Sequence, residues 1–397
     1  CSKNPVHLRT RQMYVGPHED VRVQSDNGGA FDLVFARVYD SDRAARDQRD
    51  DARPGIGFQH PFPRPFGPGW RHSYDDRLIL RGDGAPEEPL SVLYDHAMGQ
   101  VRLFPTGPRS FGRAPGRAVA LERDESTWRL TLESGDVLLF EESDVATPNH
   151  PWGAFNPEEP EQGPQYHLRL FAIHPMGVPG YRIRVWHEQD VDIPAGVCSQ
   201  MPSDGCDPSR GLLVAVAVEL FDEGSWHRGA SLHFRWRFIS AAMGDVLPGM
   251  TNKNQYLLTG VVDGADVDRG VPEPVLLVEY RSTAVPGRLA PLPWRRPLGE
   301  VRSGLGGFQD APGALMARLT YDAAAPWLLS KVERPVMTLD GTIATVAEEQ
   351  FDWEELGDGS YGIGSHQSQG TEMVASQGPL GPDGVMSWTE NGHELTM

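Results

Sequence analysis

Residues 64–80 read RPFGPGWRHSYDDRLIL, and whether this run is a catalytic cluster or a piece of architecture decides how the rest of the chain is read. His72, Ser73 and Asp75 stand almost side by side, the residue types of a hydrolytic triad. Successive residues of a strand point to opposite faces, however, so His72 and Ser73 do not meet readily as base and nucleophile, and triads are normally gathered from distant loops. The architectural reading is preferred. Gly67 to Gly69 make a turn, Trp70 plugs a core, and the polar run secures the start of the apolar strand Arg77–Leu80.

Composition points the same way. Among 397 residues, 44 Gly and 34 Pro are too frequent for long helices and suit short strands joined by turns. The expected fold class is all-β, a large antiparallel sheet of stacked β-hairpins. The net charge of -19 and a pI near 5.1 repel a phosphate backbone, so no nucleic-acid partner is expected. No apolar run approaches the roughly 18 residues that a membrane helix requires, so no transmembrane span is expected.

Alternation at period two recurs along the chain. Val21 and Val23, then Phe31, Leu33 and Phe35, flank a turn at Asn27-Gly28-Gly29, and Leu130, Leu132, Val137 and Leu139 flank one at Ser134-Gly135-Asp136. The charged run RAARDQRDDARPG reads as a short helical turn or a solvent loop. Residues 146–165, rich in Pro and Gly, form a long loop that separates an N-terminal β module, 1–145, from β-hairpins over 166–340. Residues 341–397 read as an acidic, Gly-rich tail of fainter strands and loops, cut from something longer. In the second half, GYRIRVWHE, SLHFRWRF, VLLVEYRS and ARLTYDAA are aromatic-rich strands 40 to 50 residues apart, each with a second apolar run beside it. That rhythm predicts stacked hairpins sharing one sheet.

Four of the ten tyrosines are followed directly by Asp: Tyr39-Asp40, Tyr74-Asp75, Tyr94-Asp95 and Tyr321-Asp322. The ring can pack on the sheet while the carboxylate accepts backbone N–H groups and starts a turn. In order, NPVHLRTRQMYVGPHEDVRV, FDLVFARVYDSD and FGPGWRHSYDDRLIL resemble the opening module of Rhs and other YD-repeat proteins, and RLTYDAAAPWLLSKV resembles one degenerate YD repeat. The resemblance covers residues 4–140 with fair specificity and 165–335 loosely; insertions at 190–210 and 240–255 depart from the family's shorter, more regular repeats. It implies that Gly69, Trp70, His72, Ser73, Tyr74 and Asp75, with the Tyr39-Asp40 and Tyr321-Asp322 pairs, are structural-motif residues. It also implies a β-shell that encloses a toxin or other cargo, or presents a surface for adhesion. A self-cleavage motif or toxin domain, as the downstream part of the same polypeptide, would lie beyond residue 397.

The remaining candidates are weaker. Asp263, Asp266 and Asp268 put three carboxylates on one loop, the ligand type that calcium prefers, but without the twelve-residue spacing and distal Glu; an exposed acidic turn is the alternative, and no cofactor is the leading expectation. His150, His167 and His174 are too scattered to define a zinc site. Cys198 and Cys206 bracket the turn-rich loop CSQMPSDGC, which a disulfide would stabilise by about 2 to 3 kcal/mol; two free thiols are the alternative. Cys1-Ser2 is how a mature bacterial lipoprotein begins, so Cys1 is a lipidation candidate, with a cleavage boundary as the alternative. The leading function is a structural, non-enzymatic, extracytoplasmic module. The alternatives are a surface lipoprotein that binds glycan or a partner protein through Trp152, Phe155, Trp294 and Trp327, and a glycoside hydrolase, for which pairs such as Glu354-Glu355 are uninformative at this pI.

Overall fold

The alternating runs fold as strands, twenty-five of them among the residues that the computed structural model describes. It describes residues 6–7, 12–24, 32–45, 66–81, 89–112, 120–142, 165–238, 256–280, 298–304, 313–337, 342–356, 361–375, 387–390 and 393–396, with short gaps inside some of these ranges. The first four strands, β1 (Val6–His7), β2 (Gln12–Val23), β3 (Leu33–Asp40) and β4 (Trp70–His72), form a small antiparallel sheet in chain order. A helical turn at 41–45 follows β3.

The next eight strands close into a ring. They are β5 (Arg77–Arg81), β6 (Ser91–His96), β7 (Gly99–Gly107), β8 (Ser110–Gly112), β9 (Ala120–Asp124), β10 (Thr127–Thr131), β11 (Val137–Glu142) and β12 (Gln165–His174). Each pairs with its successor, and β12 returns to β5 with Leu168 opposite Leu78. Register explains the core. Leu80, Val92 and Leu103 lie opposite one another across three strands, as do Phe111, Leu121, Leu130 and Leu138 across four. All seven are buried, while Arg102, Glu122 and Arg129 on the alternate face are exposed. An eight-strand barrel is narrow enough for its own side chains to fill, and this one is apolar within and charged without.

β12 also begins the second large sheet. Its edge pairs with β5 through Gln165–Arg169 and then, past that segment, with β13 (Tyr181–His187) through Ala172 and Ile173. From there an antiparallel meander runs in chain order through β14 (Leu213–Asp222), β15 (Ser225–Phe238), β16 (Tyr256–Asp263), β17 (Pro274–Tyr280), β18 (Leu298–Ser303) and β19 (Leu315–Tyr321). It continues through β20 (Leu329–Met337), β21 (Ile343–Glu355), β22 (Tyr361–Ser368), β23 (Thr371–Ala375), β24 (Ser387–Glu390) and β25 (His393–Thr396). This sheet is the wall. Phe234, Val261, Leu276, Val301, Leu319, Val332 and Phe351 run along its buried face.

The all-β expectation holds: the protein is a large antiparallel sheet of hairpins with an eight-strand barrel. The four aromatic-rich segments are β13, β15, β17 and β19, every second strand of the meander, with the accompanying apolar runs in β14, β16 and β20. At Ser134-Gly135-Asp136 the hairpin forms as read, closed by Leu132 N–H donating to the Asp136 carbonyl at 2.9 Å. The barrel takes strands from both sides of the 146–165 segment, and the 1–145 block divides between the small sheet and most of the barrel. The tail is more regular than its composition suggested, since β21 alone runs for 13 residues. The Asn27–Gly29 turn lies outside the described residues.

Candidate functional site

The small N-terminal sheet lies against the wall, and the quoted stretch sits in the seam between them. Trp70, 2% exposed, donates its indole N–H to the Tyr321 hydroxyl at 2.9 Å and packs on Tyr39 with ring centroids 5.2 Å apart. Tyr39 in turn donates its hydroxyl to the Trp327 carbonyl at 2.8 Å and accepts the Leu329 N–H at 3.1 Å. Phe35 meets Phe234 of the wall at 5.4 Å. Gly69 makes the approach feasible: at φ +78°, a Cβ there would lie 2.7 Å from Ala44 Cβ and 2.8 Å from Tyr39 Cε2.

The triad residue types are all engaged elsewhere. The His72 ring lies among Phe35, Phe66 and Phe234, and its Nδ1 accepts the Tyr74 N–H at 3.2 Å. Burial, aided by Arg71 and Arg77 and opposed by Asp75, pushes His72 down to about 4. Ser73 Oγ accepts from Ala36 N–H and donates to the Val34 carbonyl, and the Tyr74 hydroxyl donates to the same carbonyl at 2.7 Å. Asp75 bridges Arg71 at 2.5 Å and Arg77 at 2.8 Å.

A second layer of the seam, unread in the sequence, joins the small sheet to the barrel. Arg43 after β3, Arg71 of β4 and Arg77 of β5 converge on Asp95 of β6, at 2.7, 2.8 and 3.8 Å. Gln100 of β7 also donates to it, at 3.1 Å. Burial opposes the Asp95 charge, but Arg71, Arg43 and Arg77 outweigh it and hold the carboxyl well below the usual range. Beside it, burial raises Asp76 to about 6, although the Tyr94 hydroxyl donates to it at 2.6 Å. The signal that could have found this hub was the Tyr94-Asp95 pair. Its Asp binds arginines, whereas Asp40 and Asp322 cap turns by accepting N–H groups two and three residues on.

The other candidates fall apart from this seam. Asp263 caps the short helix Gly264–Asp268 by accepting the Ala265 N–H at 2.9 Å, Asp266 pairs with Arg269, and Asp268 lies 3.7 Å from Arg228. Among the described residues no three His, Cys, Asp or Glu side chains are grouped to hold a metal. Cys198 and Cys206 are bonded in a disulfide. Trp327 is half-buried, with its ring edge-on to Tyr361. Cys1, His150, Trp152, Phe155 and Trp294 lie outside the described residues. No helix among the described residues is long and apolar enough to cross a membrane.

No protein-family model and no curated protein matches the chain. Among solved structures it is distantly similar to TcdB2-TccC3-Cdc42, at 13% identity and TM-score 0.29 over 96% of this chain and 19% of that one. It is similar too to the N-terminal domain of the effector protein SpvB from Salmonella typhimurium, at 12% identity and TM-score 0.24 over 89% of this chain and 99% of that one. A porin-like protein from Bacteroides uniformis aligns at 8% identity and TM-score 0.28 over 69% of this chain and 94% of that one. The chain thus spans about a fifth of the TcdB2-TccC3 chains.

Proposed function

We propose that this protein is a structural, non-enzymatic module: a β-sheet wall, closed at one end by its barrel and sealed by its N-terminal sheet, that forms part of an extracytoplasmic shell around a cargo. The observation that carries the reading is the seam. The wall's buried face is capped by a separate sheet held through Trp70, Tyr39 and His72, with the arginine–Asp95 hub tying that sheet to the barrel. Side chains of the triad types hold backbone and guanidinium groups there, which is work of assembly. The Rhs and YD-repeat resemblance of the sequence supports the same reading, with a toxin as the cargo class, supplied by a downstream part of the polypeptide or by a cognate partner. The Cys198–Cys206 bridge supports an oxidising, extracytoplasmic location.

Protease protection tests this. The parent polypeptide, expressed whole, is digested with trypsin with and without prior opening of the wall by urea. A segment outside 1–397 that resists trypsin only while the wall is folded supports a shell. Equal digestion of that segment in both states refutes enclosure.

A further inference from the structure

We propose that His18 and His72 form a proton-operated latch that releases the N-terminal sheet from the wall on acidification. Each histidine crosses the seam: His18 joins β2 to Arg334 of β20, and His72 of β4 lies parallel to Phe234 of β15. Arg334 Nη2 is 2.6 Å from His18 Nδ1. A guanidinium can only donate, so Nδ1 must present its lone pair, and a proton arriving there would set N–H against N–H with both groups cationic. His72 Nδ1 is committed in the same sense, since it accepts the Tyr74 N–H. Neither bond survives protonation of its acceptor.

Among the described residues, the charged groups facing each ring are arginines and carboxylates already paired with arginine. His18 faces Arg37 of β3 and Arg334 of β20, which pair with Asp20 and Glu348 respectively. His72 faces Arg71, Asp75 and Arg77, and from the wall His187 of β13; Asp75 is already shared by the two arginines. Burial first, then Arg37 and Arg334, hold His18 down to about 3, while burial holds His72 near 4. His187 is likewise lowered, by burial, Arg169, Arg184 and His72, so a proton on His72 gains nothing from that side.

Linkage fixes the direction. In a released sheet both rings meet water and titrate near the ordinary value of about 6.5. Their contribution to docking is complete above that value and falls away as the pH drops toward the docked values. Together they favour release by about 10³-fold between roughly pH 6.5 and pH 4.5. The indole and phenol bonds of Trp70, Tyr39 and Tyr321 carry no group that gains a proton in this range, while Asp76, raised to about 6 beside the Asp95 hub, takes its proton in the docked state and opposes release. The latch operates whatever the wall encloses.

Hydrogen exchange of the full chain, read peptide by peptide from pH 7 to 4.5 with the intrinsic rate corrected, tests it. Protection in β2, β3 and β4 and in the facing β15 and β20 is expected to fall together by up to about 10³-fold, while β7 to β11 of the barrel keep theirs. His18→Gln still accepts from Arg334 through its amide oxygen but takes no proton, so H18Q and H72Q are each expected to move the loss to lower pH, and the pair to move it furthest. Seam protection that persists to pH 4.5 in the wild type overturns the proposal, as does barrel melting at the same pH. So does an unshifted curve in H18Q. Should H72Q not fold, the wild-type curve and H18Q decide alone.

Discussion

Replacing Asp95 with Asn tests the arginine hub. The Asp95 side chain is 5% exposed, and those of Arg43, Arg71 and Arg77 are 11%, 2% and 6% exposed. Without the Asp95 charge, Arg71 and Arg77 keep Asp75, and Arg43 keeps Asp40 at 4.0 Å. Removing one partner of a buried pair costs about 3 to 5 kcal/mol, chiefly because the stranded cations stay out of water. Asp95→Asn is therefore expected to lose that much in urea unfolding followed by tryptophan fluorescence, provided the slope with denaturant is unchanged. Arg43→Met in the same chain removes a stranded cation and should restore part of the loss. The Asp95 carboxyl is depressed in the fold, so its contribution is complete above the unfolded value near 3.8 and fades only as the pH falls toward the depressed one. The D95N deficit should thus persist from pH 7 to 4.5, in the range where the histidine latch opens. A deficit below about 1 kcal/mol, or no recovery on adding Arg43→Met, would refute the claim that Asp95 holds these cations.

Three further outcomes are expected. Gly69→Ala adds a methyl 2.7 Å from Ala44 Cβ and 2.9 Å from the Asp40 carbonyl at a positive φ, and should cost about 3 kcal/mol in the same unfolding assay. Cys198→Ser with Cys206→Ser opens the small loop and should lower stability by about 2.5 kcal/mol, with faster hydrogen exchange confined to the neighbourhood of residues 197–206. Asp76 is raised to about 6, so its contribution is complete below about 3.8 and is lost as the pH rises through 6. Asp76→Asn should therefore gain on the wild type above pH 6, and the gain should vanish near pH 4 in thermal melts across that range.

Much of the strand layout was legible because a sheet with one buried face writes its period into the sequence. The Leu130–Leu139 hairpin and the alternate strands β13, β15, β17 and β19 follow directly from that signal. Closure of the barrel was not legible. It depends on β5 meeting β12, with Arg77 opposite Arg169, and no local pattern encodes a partner so far along the chain. The tail's strands were faint for a related reason: β21 opens on Ile-Ala-Thr-Val-Ala and then turns mostly charged, along a mostly exposed strand, so its burial signal is weak although its ladder with β20 is long. At the seam, Trp70 and the Tyr-Asp pairs announced architecture through residue type and order. The Asp95 hub stayed hidden because its three arginines come from separate elements, and only the fold makes them neighbours.

The shared strand β12 gives the seam its mechanical meaning. One edge of β12 runs along β11, while the other holds β5 for five residues and then β13, so the barrel and the wall are one hydrogen-bonded fabric. Separating them would break backbone ladders. Among the described residues the N-terminal sheet has no such backbone pairing: it meets the wall through side chains and the barrel through the ion pairs of Asp95. Interfaces made of side chains part at lower cost than sheets joined by backbone pairing, and they respond to the charge of those side chains. Within that interface the two halves differ in their answer to acid. The Asp95 hub keeps its charge well below the range in which His18 and His72 take protons, so the sheet should lift from the wall while still tethered to the barrel, swinging about the short link from His72 to Arg77.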